Sequence, residues 1–157
     1  MTHLTQVVRD QFDAAWSLLA DTIVAFDDAS WRRAGPGDLV PARLIVHILE
    51  TADYYTHPDL GSYKWGARFG IDWEAAQTGE LPDKRDLIAY LDDVRRKVAG
   101  WTGHLGDDGL LAPDEDFQDE GMCALDRGLY VLRHTHHHVG ELFALLKEWN
   151  LPRPGWR

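Results

Sequence analysis

Apolar residues recur at three- and four-residue intervals through four long segments of this chain. The first three stripes run over Leu4–Phe26, Leu44–Tyr55 and Leu87–Val98, and the last segment extends from Gly121 to Asn150. This spacing places one apolar face along each of four helices. The alternating patterns and turn pairs that would predict strands are missing. The 157 residues therefore predict an all-α four-helix bundle.

Local signals mark where the helices begin and end. Thr2 is a candidate cap for the first helix, which we expect to run to about Asp28. Pro58 lies just past the expected end of the second helix, and the third is expected to start near Pro82. Leu151–Pro152 should end the fourth helix.

The connection between the second and third helices, His57–Leu81, is longer than most structureless loops. It is rich in aromatic residues, namely Tyr63, Trp65, Phe69 and Trp73. We therefore expect it to pack on the bundle as a cover, with a short helix near Asp72–Gly79.

The composition is that of an ordinary globular chain, and we expect residues 1–157 to form a single helical-bundle domain. Cys123 is the only cysteine, which excludes an internal disulfide and a multi-cysteine zinc site. The N-terminal stretch does not have the pattern of a signal peptide, and no apolar run approaches the ~18 residues of a membrane span. These features favour a soluble cytoplasmic protein.

Four of the eight histidines lie in the stretch "RHTHHHVGEL" of the last helix. At roughly 100° per residue, His138 lies about 40° from His134, and both are at the border of the apolar stripe. His136 lies about 200° around the helix from His134 and should face solvent, whereas His137 lies at the rim of the apolar stripe. Because residues four apart are neighbours on a helix, His134 and His138 could share one metal ion.

His47 is the candidate third ligand. It lies in the middle of the second helix, at the edge of the stripe formed by Leu44, Ile48 and Tyr55. A polar side chain at such a position is unfavourable unless it has a partner. Catalytic zinc-like sites commonly have three protein ligands and one open position. The alternative is that these histidines are hydrogen-bonded core residues or part of a solvated face.

Over essentially its whole length, the chain resembles the DinB/YfiT-like family of metal-dependent bundle proteins. The resemblance rests on the long first helix, the mid-helix histidine of "LIVHILETADYY", the motif "HTHHHVGEL" in the last helix and the ending "PGWR". It implies that the metal ligands are His47, His134 and His138. It also implies a homodimer, and related families include thiol S-transferases and a thiol-dependent isomerase.

Three neutral imidazoles suit a divalent transition metal, with zinc or nickel favoured and iron or copper as alternatives. The open position of such an ion can bind water or a low-molecular-weight thiol. The resemblance thus suggests a metal-dependent transferase in which the thiol attacks a small electrophile. Two alternatives remain open: a metal-stabilised binding or stress-response module without catalysis, and a metal-dependent hydrolase.

Side chains on the two ligand-bearing helices are candidates for the substrate pocket. Four are expected to line it, namely Thr51, Tyr54, Arg127 and Tyr130. Arg127 could hold a carboxylate of the thiol or substrate, or could instead form an ion pair at the surface or between helices. Glu141 follows His138 by three residues and is a candidate to orient that ring. A di-iron site is disfavoured, because the order of histidine and glutamate is the reverse of the usual Glu-x-x-His motif.

The charge of the chain limits its partners. The formal net charge of −10 argues against nucleic acid or an anionic membrane and is compatible with a small-molecule substrate. For the homodimer, the exposed faces of the first and third helices are the candidate surfaces. Trp16, Trp101 and the loop aromatics would supply apolar area there.

Overall fold

The computed structural model describes residues 3–156, without the side chains of residues 118–120, and confirms the all-α four-helix bundle. The helices are α1 (His3–Ala25), α2 (Pro41–Tyr55), α3 (Lys84–Leu111) and α4 (Ala124–Glu148). Short 3-10 helices lie at Pro36–Asp38, Leu60–Ser62, Thr78–Glu80 and Glu115–Glu120. The described residues form no strand, and their one isolated β-bridge joins Pro113 to Cys123.

Helices α1 and α2 each pack against both α3 and α4. The buried core between them is built from the predicted apolar stripes, including Phe12, Ile45, Leu87 and Leu142. The contact between α2 and α4 is the one that matters for the site, because these two helices carry the candidate ligands. Every helix in the described part of the chain is too short or too polar to span a lipid bilayer.

The two ends of α1 differ from the sequence predictions. Helix α1 ends at Ala25 rather than at about Asp28, and the predicted cap Thr2 lies outside the described residues. The backbone N–H groups of Leu4 and Thr5 instead donate to the Asp107 carboxylate, at 3.3 and 2.7 Å. That carboxylate satisfies free N–H groups at the positive end of the α1 dipole. A partner 102 residues away cannot be read from local capping rules.

The aromatic surface expected to favour a homodimer is mostly inside the bundle. Trp16 is fully buried in the core, and Trp101 is partly buried against it. Of the loop aromatics, Phe69 and Trp73 pack on the core, whereas Trp65 is exposed. The sequence argument for this dimer surface was wrong about Trp16, because its helical face points at α3 and α4.

The long connection after α2 packs on the bundle. It contains the 3-10 helices Leu60–Ser62 and Thr78–Glu80, and the short helix expected near Asp72–Gly79 is replaced by turns and the second of these. The tightest turn is at Gly66, whose φ is +74°. Its carbonyl accepts hydrogen bonds from the N–H groups of Phe69, Gly70 and Ile71.

Two glycines of this loop offer a matched pair of substitutions. Gly66 and Gly70 both have positive φ, but a Cβ at Gly66 would lie 2.0 Å from the Ile71 carbonyl oxygen, whereas a Cβ at Gly70 meets nothing within 4 Å. Backbone strain alone costs of order 1–3 kcal/mol at either position. We expect Gly66→Ala to lower the free energy of unfolding clearly more than Gly70→Ala, as measured by urea denaturation. Equal losses would contradict the role given to this turn.

Candidate metal centre

Helices α2 and α4 bring three imidazoles together at one point. The Nε2 atom of His134 lies 2.9 Å from Nε2 of His47 and 3.1 Å from Nε2 of His138. One ring nitrogen from each of the three histidines falls within a mutual distance of 4.8 Å. The rings are half-buried and meet edge to face, with His47 at 68° to His134 and 80° to His138.

Hydrogen bonds alone do not account for this arrangement. The Nε2 atom of His134 carries either one N–H or one in-plane lone pair, so it can form only one well-directed hydrogen bond. It nevertheless has two nitrogen neighbours at hydrogen-bond distance. Two nitrogens bound about 2.1 Å from a shared ion lie roughly 3.0–3.4 Å apart at right-angled to tetrahedral geometry. The donor set and its spacing therefore fit a divalent transition metal held by His47, His134 and His138.

Glu141 fixes the ring of His138. Its Oε2 lies 2.6 Å from His138 Nδ1, three residues earlier on α4. A carboxylate at that distance keeps the proton on Nδ1, so that the Nε2 lone pair is free to point at the other two histidines. The side chain that sequence spacing proposed for this role thus lies in contact with its ring.

Burial keeps two of the imidazoles neutral. Removal from solvent is the main reason that the pKa of His47 falls to about 4 and that of His134 to about 3, and the neighbouring rings lower both further. Both rings therefore have their lone pairs available at neutral pH, as metal binding requires. The Nδ1 atoms of His47 and His134 are buried without a hydrogen-bond partner among the described residues.

The other two histidines of the cluster motif lie outside the site. His136 Nδ1 is 2.9 Å from the Leu132 carbonyl oxygen, and its ring packs against Trp156. It points away from the ligands, although it is half-buried rather than fully solvated as predicted. His137 is exposed, and its Nε2 lies 3.9 Å from Glu141. His136 and His137 thus lie outside the group formed by His47, His134 and His138, and metal binding by that group stays a prediction.

A polar stripe on α2 attaches the long loop to the site. Arg43, His47 and Glu50 follow at four- and three-residue steps and so share one face of the helix. Arg43 donates to the carbonyls of Glu74 and Ala76, at 2.8 Å each, and to that of Trp73. One guanidinium thus holds three carbonyls of residues 73–76 against the helix face that carries His47.

Glu50 anchors the other end of the loop. Its side chain is 1% exposed, and Oε1 accepts the Gly66 N–H at 2.7 Å. Burial raises the pKa of this carboxyl, and its Oε2 has no hydrogen-bond partner among the described residues. Two groups of side chains among the described residues could hold a metal ion, His47–His134–His138 and His137–His138–Glu141. Glu50 belongs to neither, which speaks against a di-iron site.

An open cavity of about 800 Å³ lies beside His47, between α2 and the loop. The ring of Trp73 covers His47, with ring centres 4.5 Å apart. Trp65 lies near the other end of the cavity-lining loop segment and packs on Tyr54 and Tyr63. The walls are His47, Lys64, Trp65, Gly66, Ala67, Gly70, Ile71, Asp72, Trp73 and Glu74.

The side chains predicted to line the pocket lie near the site but do not form these walls. Thr51 is buried one turn after His47. Tyr54 packs on Trp65 with ring centres 5.0 Å apart, and Tyr130 stacks on His134 with ring centres 5.9 Å apart. These four predicted residues all lie on the ligand-bearing helices, whereas the cavity walls other than His47 come from the loop that was expected to form a cover.

Arg127 is engaged elsewhere, which corrects its prediction as a substrate clamp. Its Nε lies 3.0 Å from Asp114 Oδ2, and its Nη1 donates to Asp116 Oδ2 at 3.0 Å. The Nε contact is an ion pair without the alignment of a hydrogen bond. The guanidinium also lies over the rings of Trp101 and Phe117. The structure gives it a buried ion pair with Asp114 in the connection between α3 and α4, whereas the alternative considered from sequence was an ion pair at the surface or between helices.

Three functional residues escaped the sequence argument, namely Arg43, Glu50 as a loop anchor, and Trp73 as the cover of His47. A signal for the first two was present, because Arg43, His47 and Glu50 interrupt the apolar residues of α2 at helical spacing. Trp73 carried no such signal, since its position depends on the path of the loop.

Comparison with known proteins agrees with this geometry. A family model described as the DinB superfamily matches residues 11–142, a span that contains all three histidines. Comparison with curated proteins gave no significant match. The match covers most of the sequence, with all of α2 and α3 and the larger part of α1 and α4, and the chain therefore belongs to the DinB superfamily.

Proposed function

We propose that this protein is a metal-dependent transferase that activates a low-molecular-weight thiol at the three-histidine site. The observation that carries the proposal is the convergence of three Nε2 atoms beside an open cavity of about 800 Å³. A divalent ion held there, with zinc or nickel favoured, would supply positive charge that favours thiolate over thiol near neutral pH.

The protein's own residues hold and shape this site. Burial keeps His47 and His134 neutral, so their lone pairs can bind the ion. Imidazole ligands also bring no negative charge that would oppose an incoming thiolate. Glu141 orients His138 through the 2.6 Å contact to Nδ1. Trp73 packs against the His47 ring and lines the same cavity.

The nucleophile has to come from outside the chain. Cys123, the only cysteine, precedes His134 by 11 residues, roughly 16 Å of helix rise. Its thiol lies 3.1 Å from the Asp126 carboxylate at the start of α4. A free thiol would therefore form the new bond between its sulfur and the electrophilic carbon while the bond from that carbon to a leaving group breaks. The leaving group takes the electron pair, and the thiol proton passes to it through solvent.

The test uses metal-loaded protein with a panel of small electrophiles and several cellular thiols. We expect loss of the electrophile that depends on both the thiol and the metal, and no such loss with His138→Ala. Turnover that survives His138→Ala rejects the mechanism. Turnover that needs no thiol would indicate a hydrolase, and tight metal retention without any turnover would indicate a binding module.

A further inference from the structure

We infer that the cavity beside His47 binds the uncharged, flat aromatic part of the electrophile, in contact with the indoles of Trp65 and Trp73. That the bound compound is an electrophile rests on the proposed function. The binding of a flat aromatic group rests on the cavity alone. This inference names the chemical class of the second substrate, which the three histidines by themselves do not determine.

The two indoles give the cavity its aromatic walls. Trp73 lies against the metal-ligating ring of His47, with centres 4.5 Å apart, so this wall adjoins the reacting position. Trp65 is 51% exposed, although it lines a concave surface rather than a convex one. An indole in such a position offers a large apolar face to a ring that enters the cavity.

Small residues leave the space between these walls open. Gly66, Ala67 and Gly70 line the same cavity, and no atom lies within 4 Å of where a Gly70 Cβ would stand. Side chains with little or no bulk allow a planar group to approach the loop backbone closely. This favours a flat ring system over a branched or globular apolar group.

The charges around the cavity favour an uncharged group. Lys64 on the wall is outnumbered by Asp72 and Glu74, and the Glu50 carboxyl lies beneath the loop. The whole chain has a formal net charge of −10. Apart from the attraction of an ion bound at the histidines, an anionic aromatic compound would therefore meet repulsion at these walls that a neutral one of the same shape avoids.

The cavity is built before any ligand arrives. Arg43 and Glu50 fix both ends of the wall-forming loop to α2, through the carbonyls of Trp73, Glu74 and Ala76 and through the Gly66 N–H. Because these four groups are already ordered, a ligand does not have to order the loop when it binds. Binding should therefore be measurable without thiol and without turnover.

The experiment measures direct binding of 2-naphthamide to zinc-loaded protein by isothermal titration calorimetry, with no thiol present. We expect Trp65→Leu and Trp73→Leu each to weaken binding by at least about five-fold, as the loss of an aromatic contact predicts. Trp156→Leu is the matched control, because Trp156 is exposed outside the cavity, and its binding should equal that of the wild type. Trp73→Phe should retain most of the binding, which separates loss of the ring from disturbance of the fold.

Two further ligands test shape and charge. The fully saturated analogue of 2-naphthamide keeps the amide and lacks the flat ring. The second compound, 2-naphthalenesulfonate, keeps the flat ring, carries a negative charge and is a weak metal ligand. Each should bind clearly more weakly than 2-naphthamide. Equal binding of all three compounds, or equal affinity in the wild type and both tryptophan-to-leucine variants, would overturn the inference. If 2-naphthamide binds but no thiol-dependent turnover is found, the aromatic cavity stands and the transferase proposal is rejected. If turnover is found and neither tryptophan substitution changes it, the transferase proposal stands and the aromatic cavity is rejected.

Discussion

Replacing His134 or His138 with alanine should strip the protein of its metal. Each substitution removes one of three convergent Nε2 donors, and two remaining imidazoles are a poor site for a divalent ion. Loss of a partner that only orients a ligand typically weakens metal affinity 10–100-fold, so we expect loss of a ligand to weaken it by more than about 100-fold. His47→Ala should behave in the same way. The measurement is metal content after dialysis, followed by competition with a chromophoric chelator.

The neighbouring histidines supply matched controls on the same helix. His136→Ala and His137→Ala should retain metal, because the first ring points to the Leu132 carbonyl and Trp156 and the second is exposed. Glu141→Gln should give an intermediate loss, since it alters the orientation of His138 and leaves the donor in place. Equal metal loss from every one of these variants would show that the three-histidine cluster is not the binding site.

The helices and their histidines were accessible to sequence reasoning because both depend on local periodicity. The apolar stripes determine which face of each helix is buried, and His134 and His138 follow from a four-residue step along one of those faces. His47 could be added because a polar residue at the edge of an apolar stripe needs a partner. Only the contact between α2 and α4 had to come from the tertiary structure.

The pocket walls could not be derived in this way. The loop path depends on the positive φ of Gly66 and on hydrogen bonds with backbone groups 16–33 residues away, which Arg43 donates and Glu50 accepts. No side-chain periodicity encodes such contacts, since the loop contributes only main-chain carbonyl and N–H groups. Helical spacing therefore offered only helix residues such as Tyr54 and Tyr130 for the pocket, whereas the loop residues Trp65 and Trp73 form its aromatic walls.

Arg127→Met should destabilise the fold strongly while leaving metal binding intact. The Arg127 and Asp114 side chains are only 8% and 3% exposed, so the substitution leaves a carboxylate buried without its cation. Breaking a buried pair by removing one partner costs about 3–5 kcal/mol. The variant also loses the contacts of the guanidinium with Trp101 and Phe117. Urea denaturation gives the free energy of unfolding, and metal content is measured on the same folded sample.

Arg95→Met is the control for removing an arginine from an ion pair of similar length. Arg95 Nε also lies 3.0 Å from an aspartate oxygen, that of Asp13, but the two side chains are 44% and 56% exposed. Water screens such a pair, and its loss typically costs about 0–1 kcal/mol. A small stability loss in Arg127→Met, comparable with that of Arg95→Met, would contradict the structural role. Unchanged stability together with weakened binding of a carboxylate-bearing thiol would restore Arg127 as the clamp that the sequence first suggested.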